Sequence, residues 1–178
     1  MLPRSTLTRT PRDVIGSARG RSMEIQRLVG RCLRAVVDLK ALGERTFHVD
    51  CDVIQADGGT RTAAVTGSYV ALYQACHTLM ENGVLPRLPL TGAVSAVSVG
   101  LVGEELKLDL GYAEDQAAQV DFSVAMTDAG EMVEIQGAGE GGPFSTKLIL
   151  EVVALAESGM GKLFQAQKDA IGLVNGHL

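Results

Sequence analysis

The sequence predicts an α/β (α+β) protein, a two-layer sandwich in which helices cover one face of a mixed β-sheet. Three observations predict it. Apolar residues recur every three to four positions in three long stretches, short alternating stretches fill the middle of the chain, and glycine or proline turns separate them without any fixed repeat. Composition agrees, because 46% hydrophobic and 21% charged residues over 178 positions describe a chain that packs a core. A chain of this length buries about 70% of its unfolded surface when it folds as one domain. We therefore read residues 1–178 as one domain: a basic arm at 1–19, an α/β core at 20–171 and a tail at 172–178.

Taken in order, residues 1–19 are polar, rich in Arg, Thr and Pro, and carry no sustained period. A helix is predicted over 22–42, with Ile25, Leu28, Val29, Cys32, Val36 and Leu39 as its buried stripe and Gly43 as its stop. Residues 46–53 alternate, placing Phe47, Val49, Cys51 and Val53 opposite His48, Asp50 and Asp52, the period of a strand. After Gly58-Gly59 a second helix runs from near Thr60 to Met80 and ends at Asn82-Gly83. Pro86 and Pro89 make 84–91 a connection. Strands are predicted over 93–102, 105–110, 119–127 and 131–136, the last two joined by an Asp128-Ala129-Gly130 turn. Residues 137–142 are glycine-rich, and Ser145 caps a closing helix over 146–171.

Charge excludes one class of partner and leaves room for another. A net charge of −5 argues against bulk electrostatic capture of nucleic acid. The sign is uneven, however: Arg4, Arg9, Arg12, Arg19, Arg21, Arg27, Arg31 and Arg34 crowd the first part, while acids collect after Glu104. A local basic patch can act even on an acidic protein, since screening limits a charge to about 10 Å at 0.1 M salt. Cys32, Cys51 and Cys76 fall on apolar faces with no metal or disulfide spacing, which reads as three small buried hydrophobes. No run of apolar residues is long enough to span a membrane and no signal peptide opens the chain, so a reducing, cytoplasmic setting is expected.

The segment Asp50-Cys51-Asp52-Val53-Ile54-Gln55-Ala56-Asp57-Gly58-Gly59-Thr60-Arg61-Thr62 carries the strongest chemical signal. A strand that turns at two glycines into a helix offers free N–H groups, the positive end of the helix dipole and Arg61 to one small volume, where phosphate is favoured. The other reading is close packing that excludes a β-carbon. Asp57 either orients that turn or caps the helix after it. Asp115 and Asp121 stand six apart around a loop that could bring both carboxylates together, although a charged loop is ordinarily only solvated. Arg21 opens the first helix, where the dipole disfavours a cation unless an anion shares the site. His48 and His77 have no carboxylate at a telling spacing and read as structural, and the 137–142 glycines lack the context of a dinucleotide loop.

Gly20-Arg21-Ser22-Met23-Glu24-Ile25-Gln26-Arg27-Leu28-Val29-Gly30-Arg31, the glycine turn, and Asp109-Leu110-Gly111-Tyr112-Ala113-Glu114-Asp115 with Val120-Asp121 together resemble bacterial ribonuclease PH. That family comprises phosphate-dependent 3′ exoribonucleases related to the exosome ring and to polynucleotide phosphorylase. The resemblance runs from Met1 to about Gln167, and it implies a ribonuclease PH-like fold. Proteins of the family resemble a chain that begins roughly seventy residues earlier, a sizeable part of a usual domain, so an N-terminally truncated or split form is implied.

The resemblance also implies roles. Gly59, Thr60, Arg61 and Arg21 would bind the inorganic phosphate that attacks RNA, and Asp115 and Asp121 would hold Mg²⁺, with Asp121 as the general acid. Glu114 and Asp109 would be supporting neighbours, and Gly137-Ala138-Gly139-Glu140-Gly141-Gly142 a structural segment ending in Pro143-Phe144-Ser145, where Ala138 replaces a commoner threonine. Arg4, Arg9 and Arg12 would lie where subunits of a homo-hexameric ring meet and RNA enters. The implied activity is phosphorolytic trimming of the 3′ end of tRNA precursors, releasing nucleoside diphosphates. Two rivals stand beside it: a non-catalytic ring or scaffold subunit, and an inactive truncated fragment.

Overall fold

The computed structural model describes Ser5 and residues 20–174. Helix α1 (Gly20–Ala35) is followed by the short α2 (Leu39–Leu42) and the long α3 (Thr60–Glu81). Strands β1 (Val94–Val102) and β2 (Glu105–Leu108) form a hairpin, α4 (Tyr112–Ala117) leads into β3 (Val120–Thr127) and β4 (Met132–Ala138), and α5 (Lys147–Val174) closes the chain. The sheet order is β2-β1-β3-β4, and every ladder among the described residues is antiparallel. The α+β class is therefore as the sequence implies, with an antiparallel sheet where a mixed one is expected.

Helices pack on both faces of this sheet, not on one. Successive strand residues point to opposite sides, and the two sides bury different partners. Val94, Ala96 and Ala125 join Leu28, Val29, Cys32 and Leu33 of α1 with Val65, Tyr69, Leu72 and Cys76 of α3. Val97, Val99, Val120, Phe122, Val124 and Met126 meet Val152, Ala156 and Met160 of α5. The middle strands are thus apolar on both sides, as their near-continuous hydrophobic runs require. Gln167 of α5 ties the layers at the sheet edge, its Nε2 donating to the carbonyls of Thr66 and Val94 at 2.9 Å each.

Three local predictions need correction. The helix over 22–42 breaks after Ala35, because the Asp38 carboxylate accepts from the N–H of Lys40 and Ala41 at 3.1 and 3.0 Å and starts a new helix. Its own N–H meanwhile donates to the Pro89 carbonyl at 2.9 Å. Residues 46–53 belong to no ladder among the described residues, so the predicted strand is not formed with any of them. The turn expected around Asp115 is a helix, α4. The remaining strand and helix positions agree within a few residues, and the Ser145 hydroxyl accepts from the Lys147 N–H at 3.3 Å as the predicted cap. The glycine-rich segment is a packing device: a β-carbon on Gly137 would come within 2.3 Å of the Phe122 ring.

Candidate functional site

The site arises where one sheet face runs out of bulk. On the side facing α3, β1 reads Val94, Ala96, Ser98, Gly100 and β3 reads Ala125, Ser123, Asp121. The register pairs Ala96 with Ala125, Ser98 with Ser123 and Gly100 with Asp121. Small and polar side chains at that end cannot fill the layer. A cleft of about 1470 Å³ opens there, and Arg21, Gly59, Thr60, Arg61, Asp115 and Asp121 all line it. Residues from four separate parts of the chain are thereby brought to one volume.

The two glycines of the turn do different work. Gly59 is the N-cap of α3 with φ 67°, in the left-handed region that favours glycine, and no side chain caps the helix. The first-turn N–H groups and the positive end of the dipole are thus left without a side-chain cap beside Arg61. Gly58 answers to packing, since a β-carbon there would sit 1.9 Å from the Leu110 carbonyl oxygen. Asp57 locks that contact: its Oδ1 accepts from the N–H of Gly58 at 2.9 Å and of Tyr112 at 2.5 Å. These bonds, Tyr112 foremost, hold its carboxyl below the usual value. Asp57 therefore orients the turn against α4 and does not cap α3.

On the acidic side, α4 carries Asp115, which is exposed, and β3 carries Asp121, which is half-buried. Burial pushes the Asp121 carboxyl above its ordinary value; Arg61 opposes the shift, while Asp115, Glu140 and Glu24 add to it. Glu114 is structural, with Oε2 accepting from the Gly111 N–H at 3.1 Å and Oε1 from Lys107 Nζ at 2.8 Å. Asp109 holds φ 58° beside the turn, its Oδ1 3.9 Å from where a Gly59 β-carbon would lie. The sequence reading missed Glu24, whose Oε1 accepts from Arg61 Nη1 at 3.1 Å. Nothing in spacing signals it, because the pair forms between α1 and α3.

Arg21 is exposed at the start of α1 and has no ion-pair partner among the described residues. Arg4, Arg9 and Arg12 lie outside the described residues. His48 lines the cleft. His77 does meet a carboxylate, Glu81 Oε2 at 3.5 Å one helical turn on, and stacks on Tyr73 with ring centroids 5.9 Å apart. Cys32 and Cys76 are buried as expected, and burial raises the Cys32 thiol to about 12. Cys51 is instead exposed, 3.1 Å from the Ser68 hydroxyl.

No cluster of three or more His, Cys, Asp or Glu suited to a metal occurs among the described residues. Mg²⁺ asks for less, since it keeps several waters and is held through one or two carboxylates. Asp115 and Asp121, two hard oxygen donors that line the same cleft, match that donor chemistry. No helix among the described residues is long and apolar enough to cross a membrane.

The sequence and the antiparallel sheet flanked by helices both find counterparts among known proteins. Two models of one family fit the sequence: "3′ exoribonuclease family, domain 1" over residues 1–77 and "3′ exoribonuclease family, domain 2" over residues 92–159. Together they span most of the chain, which belongs to the 3′ exoribonuclease family.

Solved structures share the fold. An Archaeoglobus fulgidus exosome with RNA bound to its active site matches with a TM-score of 0.67 and 19% identity, over 88% of this chain and 65% of that one. Rrp46 of rice (Oryza sativa) matches at 0.64 and 16%, over 88% and 68%. An archaeal exosome core matches at 0.63 and 21%, over 83% and 64%. The chain thus spans about two thirds of the length of these structures.

Proposed function

We propose that this protein is a cytoplasmic phosphorolytic 3′–5′ exoribonuclease of the ribonuclease PH type. In this reading it uses inorganic phosphate to shorten the 3′ end of tRNA precursors and works as a homo-hexameric ring. The observation that carries the reading is the shared cleft of the α3 N-terminus, Arg61 and Arg21 with Asp115 and Asp121. An anion held at Gly59, Thr60 and Arg61 would share that cleft with the acids. In this reading the bound phosphate attacks the last phosphodiester, and positioning with charge stabilisation is most of what phosphoryl transfer asks of a protein.

Each residue then has a task. The Arg61 guanidinium presents a planar fork to phosphate oxygens, which Lys could not reproduce. Arg21 adds a second cation from α1. Asp121, whose burial favours its neutral form, is placed to supply a proton to the departing 3′ oxygen directly or through water. Asp115 and Asp121 would hold Mg²⁺, which would supply charge neutralisation when bound. As phosphate binds, Arg61 exchanges Glu24 for the incoming anion.

The test is Arg61→Ala. Loss of a donor that acts in the transition state costs on the order of 3 to 4 kcal/mol, so RNA shortening should fall a few hundredfold while RNA affinity is kept. Full activity in this variant would overturn the reading.

A further inference from the structure

We propose that the Tyr112 ring is the platform on which the 3′-terminal base of a single-stranded RNA stacks, an inference that rests on the RNA-shortening reading above. The chain has three tyrosines, four phenylalanines and no tryptophan. Tyr69 is buried and Tyr73 packs against the core, whereas Tyr112 is 52% exposed and lines the cleft. An exposed ring is usually loose. This one is held at both ends: its backbone N–H donates to Asp57 Oδ1 at 2.5 Å and its hydroxyl accepts from Gln116 Nε2 at 2.7 Å.

Its position suits the task. Tyr112, Asp115 and Gln116 lie three and four residues apart on α4 and so share one helix face. A base resting on the ring lies one helical turn from Asp115 and beside the phosphate turn, which the Asp57–Tyr112 bond ties to the start of α4. A ring already fixed loses little freedom when a base settles on it. Stacking on an aromatic side chain is also indifferent to sequence, because every base has a π-face. An enzyme that retreats one nucleotide at a time needs that indifference at the terminal position.

The experiment measures equilibrium binding without phosphate, using a single-stranded RNA that ends in 2-aminopurine, whose fluorescence is quenched by stacking. The wild-type chain is expected to quench it. Tyr112→Leu should bind about tenfold more weakly and relieve the quench, in line with the usual effect of removing a stacking aromatic. Tyr112→Phe should retain affinity and quench although the Gln116 bond is gone. With an RNA that is abasic at its last nucleotide, wild type and Tyr112→Leu should bind alike. Unchanged affinity and quench in Tyr112→Leu, or Tyr112→Phe behaving like Tyr112→Leu, would overturn the stacking role. If the wild type shortens RNA with phosphate while these results obtain, the stack alone is rejected. A wild type that neither binds nor shortens RNA rejects the exoribonuclease reading, and the stack with it.

Discussion

The glycine turn can be taken apart by adding one carbon at each position. In Gly58→Ala the new β-carbon would lie 1.9 Å from the Leu110 carbonyl oxygen, 2.8 Å from its carbon and 2.9 Å from the Gly111 carbonyl carbon. All three are backbone atoms, so no side chain can swing aside. The α3 start must move away from the segment before α4, and the Asp57–Tyr112 hydrogen bond is stretched with it. Overpacking of this kind costs about 3 kcal/mol, at the upper end of its usual range. In Gly59→Ala the nearest atoms are the hydroxyls of Thr62 and Ser98 at 3.2 and 3.3 Å, which can give, and the remaining penalty is φ 67° for an alanine. That is roughly 1 to 2 kcal/mol, partly offset by a stiffer unfolded chain. At a few degrees of midpoint per kcal/mol, Gly58→Ala should lower the thermal midpoint by about 6–12 °C and Gly59→Ala by about 2–4 °C. Scanning calorimetry at matched protein concentration reads both. Equal shifts, or a larger one for Gly59→Ala, would refute the division of labour between the two glycines.

Three further outcomes follow from the site. Asp121→Asn keeps the shape and removes the charge and the proton, so turnover should drop severely without loss of fold; an unchanged rate and an unchanged Mg²⁺ response would return Asp115 and Asp121 to ordinary solvated residues. Glu24→Gln frees Arg61 from a partly exposed pair worth under about 1 kcal/mol, so the KM for phosphate should fall by up to about fivefold at low salt; a rise would show that Glu24 positions Arg61 instead of competing for it. Replacing Arg4, Arg9 and Arg12 together should weaken binding of tRNA precursors and flatten its salt dependence by up to about three units of slope. Sedimentation of that variant separates guidance from assembly: an intact ring with poor RNA binding supports guidance, and dissociation supports a role at the subunit boundary.

What the sequence makes legible is local. The helix start at Thr60, the hairpin turns and the Ser145 cap depend on a few neighbouring residues, and they stand where their spacing puts them. The alternation over 46–53 has the right period, yet a strand also needs a partner, and among the described residues it finds none. The apolar stripe hides the break after Ala35. Its signal is Asp38, a helix-starting residue set inside an apparently continuous helix. Helix α4 had a readable start as well, with Glu114 three residues after Gly111 and acids in its first turn. The site divides in the same way. Arg61 and the glycines are visible as a turn, and the fading of bulk from Val94 to Gly100 is written in β1. The Glu24–Arg61 pair and the contact of Gly58 with Leu110 join distant segments and exist only once the chain is folded.

The central claim is that phosphate, not water, cleaves the RNA, and the products decide it. A tRNA precursor with a short 3′ extension is incubated with the purified protein and Mg²⁺, with and without inorganic phosphate, and the released nucleotides are identified by mass. Phosphorolysis predicts nucleoside diphosphates that form only when phosphate is present, and a few hundredfold more slowly with Arg61→Ala. Nucleoside monophosphates, or shortening that proceeds equally well without phosphate, would contradict the account.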